Sequence, residues 1–324
     1  MEQTTKRPKI VILDGHTLNP GDLSWNKIYA LGNVTIYEHS TGIEILQRAK
    51  GAEIIVVNKA PIDQSTISNL PELKCICVTA SGYNNVDVEA AKECGIPVSN
   101  AVGYGSTSVA QHVFALLLTL TNRVGRHAES VQQGDWSAHR DFSYWLHTIP
   151  ELSGRFFGIY GFGKIGQQVA TIAQAFGMNI LATHKHPDRD KMEGVEFVSL
   201  EELFSQSDVV SLHAPLSPKN EGIVNKEVLQ KMKSHAILIN TGRGGLINEK
   251  DLAEVLKEKA IFGAALDVLS QEPPPAEHPL LGLDNCIITP HMAWAAQAAR
   301  ERLLDITVEN IRAFLHGKPQ NVVN

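Results

Sequence analysis

Long apolar runs are missing from this sequence: no stretch reaches the roughly 18 apolar residues a membrane-spanning helix needs, and the polar opening Met1 to Lys9 holds no apolar signal core. Both features point to a cytoplasmic chain that does not enter the membrane. Positive charge is not in excess either. The formal net charge is -6 and no long run of Lys or Arg interrupts it, which argues against nucleic acid and leaves a small molecule as the expected partner. Cysteine is scarce. Cys75, Cys77, Cys94 and Cys286 are the only four, and Cys75 and Cys77 flank Ile76 in an apolar run without metal-ligand spacing, so they read as reduced structural thiols and no metal site is expected.

What the sequence has in quantity is ordinary globular material, with 43% hydrophobic and 20% charged residues over 324 positions, enough for two domains with separate cores. Short runs rich in Val and Ile recur, each followed by a helix-like segment: Ile10 to Leu13, Ile54 to Val57, Cys75 to Val78, Phe157 to Tyr160, Ile180 to Ala182, Val209 to Leu212, Ala236 to Ile239, Ala264 to Asp267 and Cys286 to Thr289. This alternation predicts parallel sheets of the α/β class. A helical stretch from Ser106 to Asn122, with Val109, Val113, Leu116, Leu117 and Leu120 at helical spacing, precedes a polar, aromatic-studded connection from Gly134 to Pro150. Together with a second helical stretch, Ala293 to Leu315, it suggests one α/β domain inserted into another: residues 1–104 with 293–324, and residues 105–292. The cleft between two such domains is the expected place for a small-molecule site.

Phe157 to Tyr160 runs into Gly161-Phe162-Gly163-Lys164-Ile165-Gly166, and a helix continues from Gln167. Glycines at this spacing give a tight turn, let the backbone approach a pyrophosphate and allow the helix to pack on the strand, so the segment predicts dinucleotide binding. NAD-selective proteins of this kind carry an acidic residue at the end of the next strand. Here Thr183-His184-Lys185-His186 stands there, with Arg189 nearby. Such a turn would accommodate a 2′-phosphate, so NADP is favoured over NAD.

Three further segments follow predicted strands: Asn240-Thr241-Gly242-Arg243-Gly244, then Asp267 to Glu272-Pro273, then Pro290-His291. An Arg, a Glu and a His on adjacent loops supply what hydride transfer to a 2-oxo acid requires. Arg243 can grip a carboxylate with its fork, His291 can donate a proton to the alkoxide, and Glu272 can hold that histidine protonated.

These motifs, with Ala80-Ser81-Gly82-Tyr83-Asn84-Asn85-Val86-Asp87, Thr107 to Ala110 and His213-Ala214-Pro215, resemble the D-isomer-specific 2-hydroxyacid dehydrogenase family over essentially the whole chain. The resemblance implies a Rossmann cofactor domain inserted into a flavodoxin-like substrate domain. It implies that Arg243, Glu272 and His291 are catalytic, with Arg243 and His291 also touching substrate, and that backbone N–H groups of Ser81 and Gly82 hold the substrate carboxylate. Cofactor contacts are implied at Thr107, Gly161, Gly163, Lys164, Ile165, Gly166, Ala214, Thr241, Arg243 and Asp267, to which the basic turn adds His184, Lys185 and His186. A homodimer built around the long inter-domain helix is implied as well. Phe142 to Trp145, His291 to Trp294 and the ending Phe314 to Asn324 are similar to the glycerate dehydrogenase/hydroxypyruvate reductase group, which points to hydroxypyruvate or glyoxylate. Within the same family, D-lactate and phosphoglycerate types are alternatives, and Glu272 argues against the formate type. A nucleotide-sensing corepressor of the same fold is the non-enzymatic alternative, and turnover separates it. Gln111, where many relatives carry Glu, reads as a change in helix packing.

Overall fold

The computed structural model describes residues 7–324; Met1 to Lys6, most of the polar opening, lie outside the described residues. The chain divides into two compact units, one running to Gly105 and resuming at Ala295–Asn324, the other Ser106–Trp294.

In the first unit the strands β1 (Lys9–Ile12), β2 (Asn33–Ile36), β3 (Ile54–Val57), β4 (Cys75–Val78) and β5 (Val98–Ser99) form one sheet in the order β2-β1-β3-β4-β5. Every pair in it is parallel, and this is the flavodoxin-like order, which reverses between β1 and β3. Strands β3 and β4 are buried on both faces, which is why they read as unbroken apolar runs rather than alternating ones. Cys75 and Cys77 are buried free thiols on the same face of β4, with their sulfurs 3.9 Å apart.

The second unit holds β6 (Phe156–Tyr160), β7 (Asn179–Thr183), β8 (Val195–Phe197), β9 (Val209–Leu212), β10 (Ile237–Asn240), β11 (Gly263–Leu266) and β12 (Cys286–Ile288), in the order β12-β11-β10-β9-β6-β7-β8. Counted within the unit, this is the Rossmann order 3-2-1-4-5-6 with a seventh strand at the far edge, again parallel throughout. Side chains alternate between two cores. Phe157, Ile159, Ile180, Ile237 and Ile239 meet the helices Ser106–Asn122 and Lys164–Ala175 on one face, whereas Val210, Leu212, Leu238, Ala264 and Leu266 meet the helix Glu249–Lys257 on the other. Gln111 is exposed on its helix, so the packing role expected for it is not found: its position lies off the stripe that Ala110, Val113 and Leu117 bury.

Three strands escaped the sequence pattern. β2 alternates exposed with half-buried residues, β5 has only two residues, and β8 is a half-buried edge strand. The helix read from Ala293 begins instead at Gln297 and runs to Leu315, because residues 289–296 are bent into the loop described next.

Candidate active site

At the carboxyl ends of β10, β11 and β12 three loops are tied to one buried carboxylate. Asp267, immediately after β11, accepts hydrogen bonds from Thr289 Oγ1 at 2.6 Å, Met292 N at 2.9 Å and Ala293 N at 2.8 Å. Because the Thr289 hydroxyl donates to Asp267, His112 Nε2 must donate to Thr289, at 3.1 Å. Burial works to raise the Asp267 carboxyl, yet the donors from His112, Thr289, Ala293 and Met292 outweigh it and hold the group below the usual carboxylate range. Asp267 therefore stays ionised and pins the chain on either side of His291.

His291 itself sits at φ +52°, in the left-handed region that a non-glycine residue rarely occupies. Its backbone N–H donates to the carbonyls of Asp267 and Thr289, both at 2.9 Å, and its own carbonyl accepts from Trp294 Nε1. These bonds turn the imidazole toward Glu272, whose Oε2 lies 2.6 Å from Nδ1. The other oxygen, Oε1, accepts from Leu269 N at 3.0 Å, so the carboxylate is oriented at both ends. With Nδ1–H committed to Glu272, Nε2 is the nitrogen left to face a reactant. The pair is partly open to solvent, with 31% and 35% of the two side chains exposed.

Arg243 follows β10. Asn240, fully buried, clamps that turn by accepting from Gly242 N and donating to the Arg243 carbonyl. At Gly244 a Cβ would fall 1.9 Å from the Leu269 backbone, so only glycine lets the Arg243 turn rest on the segment that carries Glu272. The Arg243 guanidinium is exposed and, among the described residues, bonds only its neighbour's carbonyl, Gly242. A further anchor, Glu249, accepts from Ser270 N and Oγ and from His278.

The glycine loop lies at the end of β6 in the same unit. Gly161 has φ +97°, and a Cβ there would meet the Ala214 backbone at 2.4 Å; a Cβ on Gly166 would meet the Gly161 carbonyl at 2.5 Å. Gly163, by contrast, has open space around its missing Cβ and starts the helix Lys164–Ala175 with no side-chain cap. The first amides of that helix are thus presented to an anion, which fits a cofactor pyrophosphate. Thr241 fits too: its hydroxyl oxygen is buried with no partner among the described residues, a donor a bound ligand would satisfy. His213 donates its backbone N–H to Tyr160 and sets Ala214 against Gly161. Burial pushes its imidazole down to about 3, so it is a neutral wall. Thr107 is exposed in the first turn of its helix, beside Ser108, whose hydroxyl is bonded to the Ala293 carbonyl. Lys164 is exposed and Ile165 half-buried.

The basic turn after β7 is more organised than its sequence suggests. His184 Nδ1 accepts from Phe162 N, which ties the turn to the glycine loop, and Nε2 donates to Asp190 at 2.7 Å. Arg189 reaches the same carboxylate at 2.6 Å, and that bond, with the weaker one from His184, holds the Asp190 carboxyl below its ordinary range. Lys185 and His186 are exposed. Asp190 was not legible as a partner, since a six-residue loop closure has no periodic signal. Ser81 and Gly82 lie past β4 in the first unit, where Ser81 Oγ donates to the Ala101 carbonyl and the Ser81 carbonyl accepts from Asn100.

The family model for the D-isomer specific 2-hydroxyacid dehydrogenase NAD binding domain matches residues 114–293. A hydroxypyruvate reductase of Blautia hydrogenotrophica is 46% identical over 321 residues, 98% of this chain and 99% of that protein. A glycerate dehydrogenase of Methylorubrum extorquens is 41% identical, covering 97% and 98%. Among solved structures, an acyclic imino acid reductase in complex with NADPH and D-Arg superposes with a TM-score of 0.85 at 34% identity, covering 98% of this chain and all of that one. A glycine loop at the end of a Rossmann strand, an Arg, Glu and His on three clamped loops of the same sheet, and near full-length identity of this order place the chain in the D-isomer specific 2-hydroxyacid dehydrogenase family, as an NAD(P)-binding oxidoreductase.

Proposed function

We propose that this protein reduces hydroxypyruvate, and more weakly glyoxylate, to D-glycerate and glycolate, with His291 as proton donor. The observation that carries the reading is the 2.6 Å bond between His291 Nδ1 and an oriented Glu272, in a chain whose full-length relatives are named for hydroxypyruvate and glycerate. In this reading residues 105–292 serve the cofactor and residues 1–104 with 293–324 the substrate.

Arg243 grips the substrate carboxylate and polarises the neighbouring carbonyl, a task suited to a planar fork of donors. The nicotinamide, when bound, supplies the hydride. His291 Nε2–H then gives its proton to the oxygen that becomes the hydroxyl, while Glu272 stabilises the imidazolium before transfer and fixes the ring afterwards. In the oxidative direction the same nitrogen takes the proton back. Ser81 and Gly82 contribute backbone N–H groups to the carboxylate by the family resemblance. The amides after Gly163, with Lys164 and Ile165, would hold the cofactor's pyrophosphate, and Thr107, Ala214, Thr241 and Asp267 would complete the cofactor contacts.

NADPH is accepted and preferred, because the end of β7 carries His184 in place of a carboxylate, with Lys185 and His186 exposed beside it. Asp190 moderates that preference, since it occupies both His184 and Arg189. The protein works as a homodimer. Support comes from the segment after the long helix, where Val124, Trp136, Phe142, Trp145 and Leu146 are exposed and Phe142 is 91% accessible.

The deciding experiment is a panel of 2-oxo acids, hydroxypyruvate, glyoxylate, pyruvate and 3-phosphohydroxypyruvate, each with NADH and NADPH. Highest kcat/KM for hydroxypyruvate supports the reading; preference for pyruvate or the phosphorylated acid replaces the substrate, and no turnover with any of them points to a non-enzymatic protein.

A further inference from the structure

In the first unit, two histidines and a carboxylate converge. His16 lies past β1, and Glu38 and His39 lie past β2, all three exposed, with one ligand atom from each within 4.8 Å of the others. The imidazole centroids of His16 and His39 are 5.0 Å apart and tilted by 49°. Nothing in the proposed reduction uses these side chains.

Their convergence is built into the backbone. β1 and β2 pair in parallel from Lys9 with Asn33 to Ile12 with Ile36, and the pairing continues beyond both strands. Tyr37 N donates to the Ile12 carbonyl at 2.9 Å, Gly15 N to the Tyr37 carbonyl at 2.9 Å and His16 N to the Glu38 carbonyl at 3.2 Å. His16 is therefore bonded through its main chain to the residue that supplies the carboxylate. The second loop is pinned from its other side by Arg48. Its guanidinium bonds the His39 carbonyl and Ser40 Oγ, pairs with Glu44 at 2.8 Å and lies 4.6 Å over the Tyr37 ring. The charge of Arg48 is thus matched by Glu44, and Glu38 brings a negative charge to the cluster.

We propose that His16, Glu38 and His39 form a binding site for a late first-row divalent cation, zinc in particular. Two imidazoles and one carboxylate suit zinc, copper or nickel, whereas magnesium and calcium require oxygen ligands. Zinc bonds of about 2.0 to 2.2 Å put tetrahedral ligand atoms roughly 3.4 Å apart. The three side chains must draw together from within 4.8 Å, which rotation of exposed side chains allows with the backbone unmoved. Water completes the coordination. The ion would crosslink the loops after β1 and β2 and so stabilise the folded first unit by linkage.

The test is calorimetric titration of untagged protein with Zn²⁺ alone, comparing the parent with His16→Ala, His39→Ala, Glu38→Gln and, as a control elsewhere on the surface, His316→Ala. One equivalent should bind the parent and the control with the same affinity. His16→Ala and His39→Ala should each bind roughly 10-fold more weakly or worse, and Glu38→Gln should fall in between. Zinc should raise the thermal midpoint of the parent but not of the two His variants, whose circular dichroism should match the parent. Absence of a one-equivalent phase in the parent, or equal affinity in both His variants, would overturn the site and assign any binding to others of the 13 histidines.

Discussion

Two buried aspartates stand at opposite ends of the same parallel sheet, and their surroundings differ in kind. Asp208 precedes β9, at the amino end. It accepts from Phe156 N at 2.7 Å, His235 at 2.7 Å and Lys233 at 3.0 Å. Burial raises its carboxyl, and the Phe156 amide with His235 and Lys233 more than reverses this. Asp267, at the carboxyl end, is held by a hydroxyl, two backbone amides and a histidine, with no Lys or Arg spent on it. At the amino end cations are consumed in holding strands together. At the carboxyl end a hydroxyl, two amides and a histidine do the holding, and Arg243 and His291 remain turned to solvent. The difference separates a structural ion cluster from a preorganised site.

After loss of the His291 imidazole, replacing Arg243 should have the largest effect. Arg243→Lys retains the charge and loses the fork, so kcat/KM for hydroxypyruvate should fall roughly 100-fold, the worth of one charged hydrogen bond. Steady-state kinetics checks this, and a Lys variant equal to the parent would confine Arg243 to the fold.

The comparison sharpens when both aspartates are changed. In Asp267→Asn the amide cannot accept from all of Thr289, Met292 and Ala293, so turnover should fall by about 10-fold or more as His291 loses its placement. Asp208→Asn should leave kcat near the parent value and cost about 1 to 3 kcal/mol of stability. Kinetics beside denaturant unfolding reads both. If Asp208→Asn lost turnover as Asp267→Asn did, the two ends would not be different in kind.

Much of the carboxyl end was legible in advance because it is made of contiguous motifs: strands buried on both faces, glycines at turn spacing, and Arg243, Glu272 and His291 just past predicted strands. The amino-end cluster was not, since Phe156, Asp208, Lys233 and His235 come together only through strand order. The same applies to His112 under Thr289, to Asn240 beneath the Arg243 turn and to Asp190 against His184. Each is a contact of a loop with another loop, a helix or a strand end, where apolar periodicity carries no information. Strands β2 and β8 were missed because they are little buried, and burial is what writes a pattern into sequence, whereas β5 is buried but has only two residues.

Asp190 offers a smaller effect. NADPH should be favoured over NADH by about 10-fold or more, and the ratio should shrink as ionic strength rises. His184→Asp should reverse it. Asp190→Asn should enlarge it several-fold by releasing Arg189 and His184. Kinetics with each cofactor measures all three, and an NADH-preferring parent would reduce the turn to a solvated surface.

A further effect is on the pH dependence of stability. His213 takes its proton at about 3 in the fold against 6.5 ordinarily, so between these values the unfolded chain holds more protons. Stability is complete above pH 6.5 and falls as pH drops toward 3, by an upper bound of about 4 to 5 kcal/mol. His213→Gln should flatten that decline in denaturant midpoints measured from pH 7 to 4; an unchanged slope would assign acid lability to other groups.

The most direct measurement is turnover of hydroxypyruvate by the parent and His291→Ala, with chiral analysis of the glycerate formed and a fluorescence titration of the cofactor. The parent should yield D-glycerate, and the variant should lose roughly 100-fold or more in kcat while binding cofactor as before, since general acid catalysis contributes about that much. Unchanged turnover in His291→Ala, or L-glycerate from the parent, would contradict the assignment of His291 as the proton donor of a D-specific reductase.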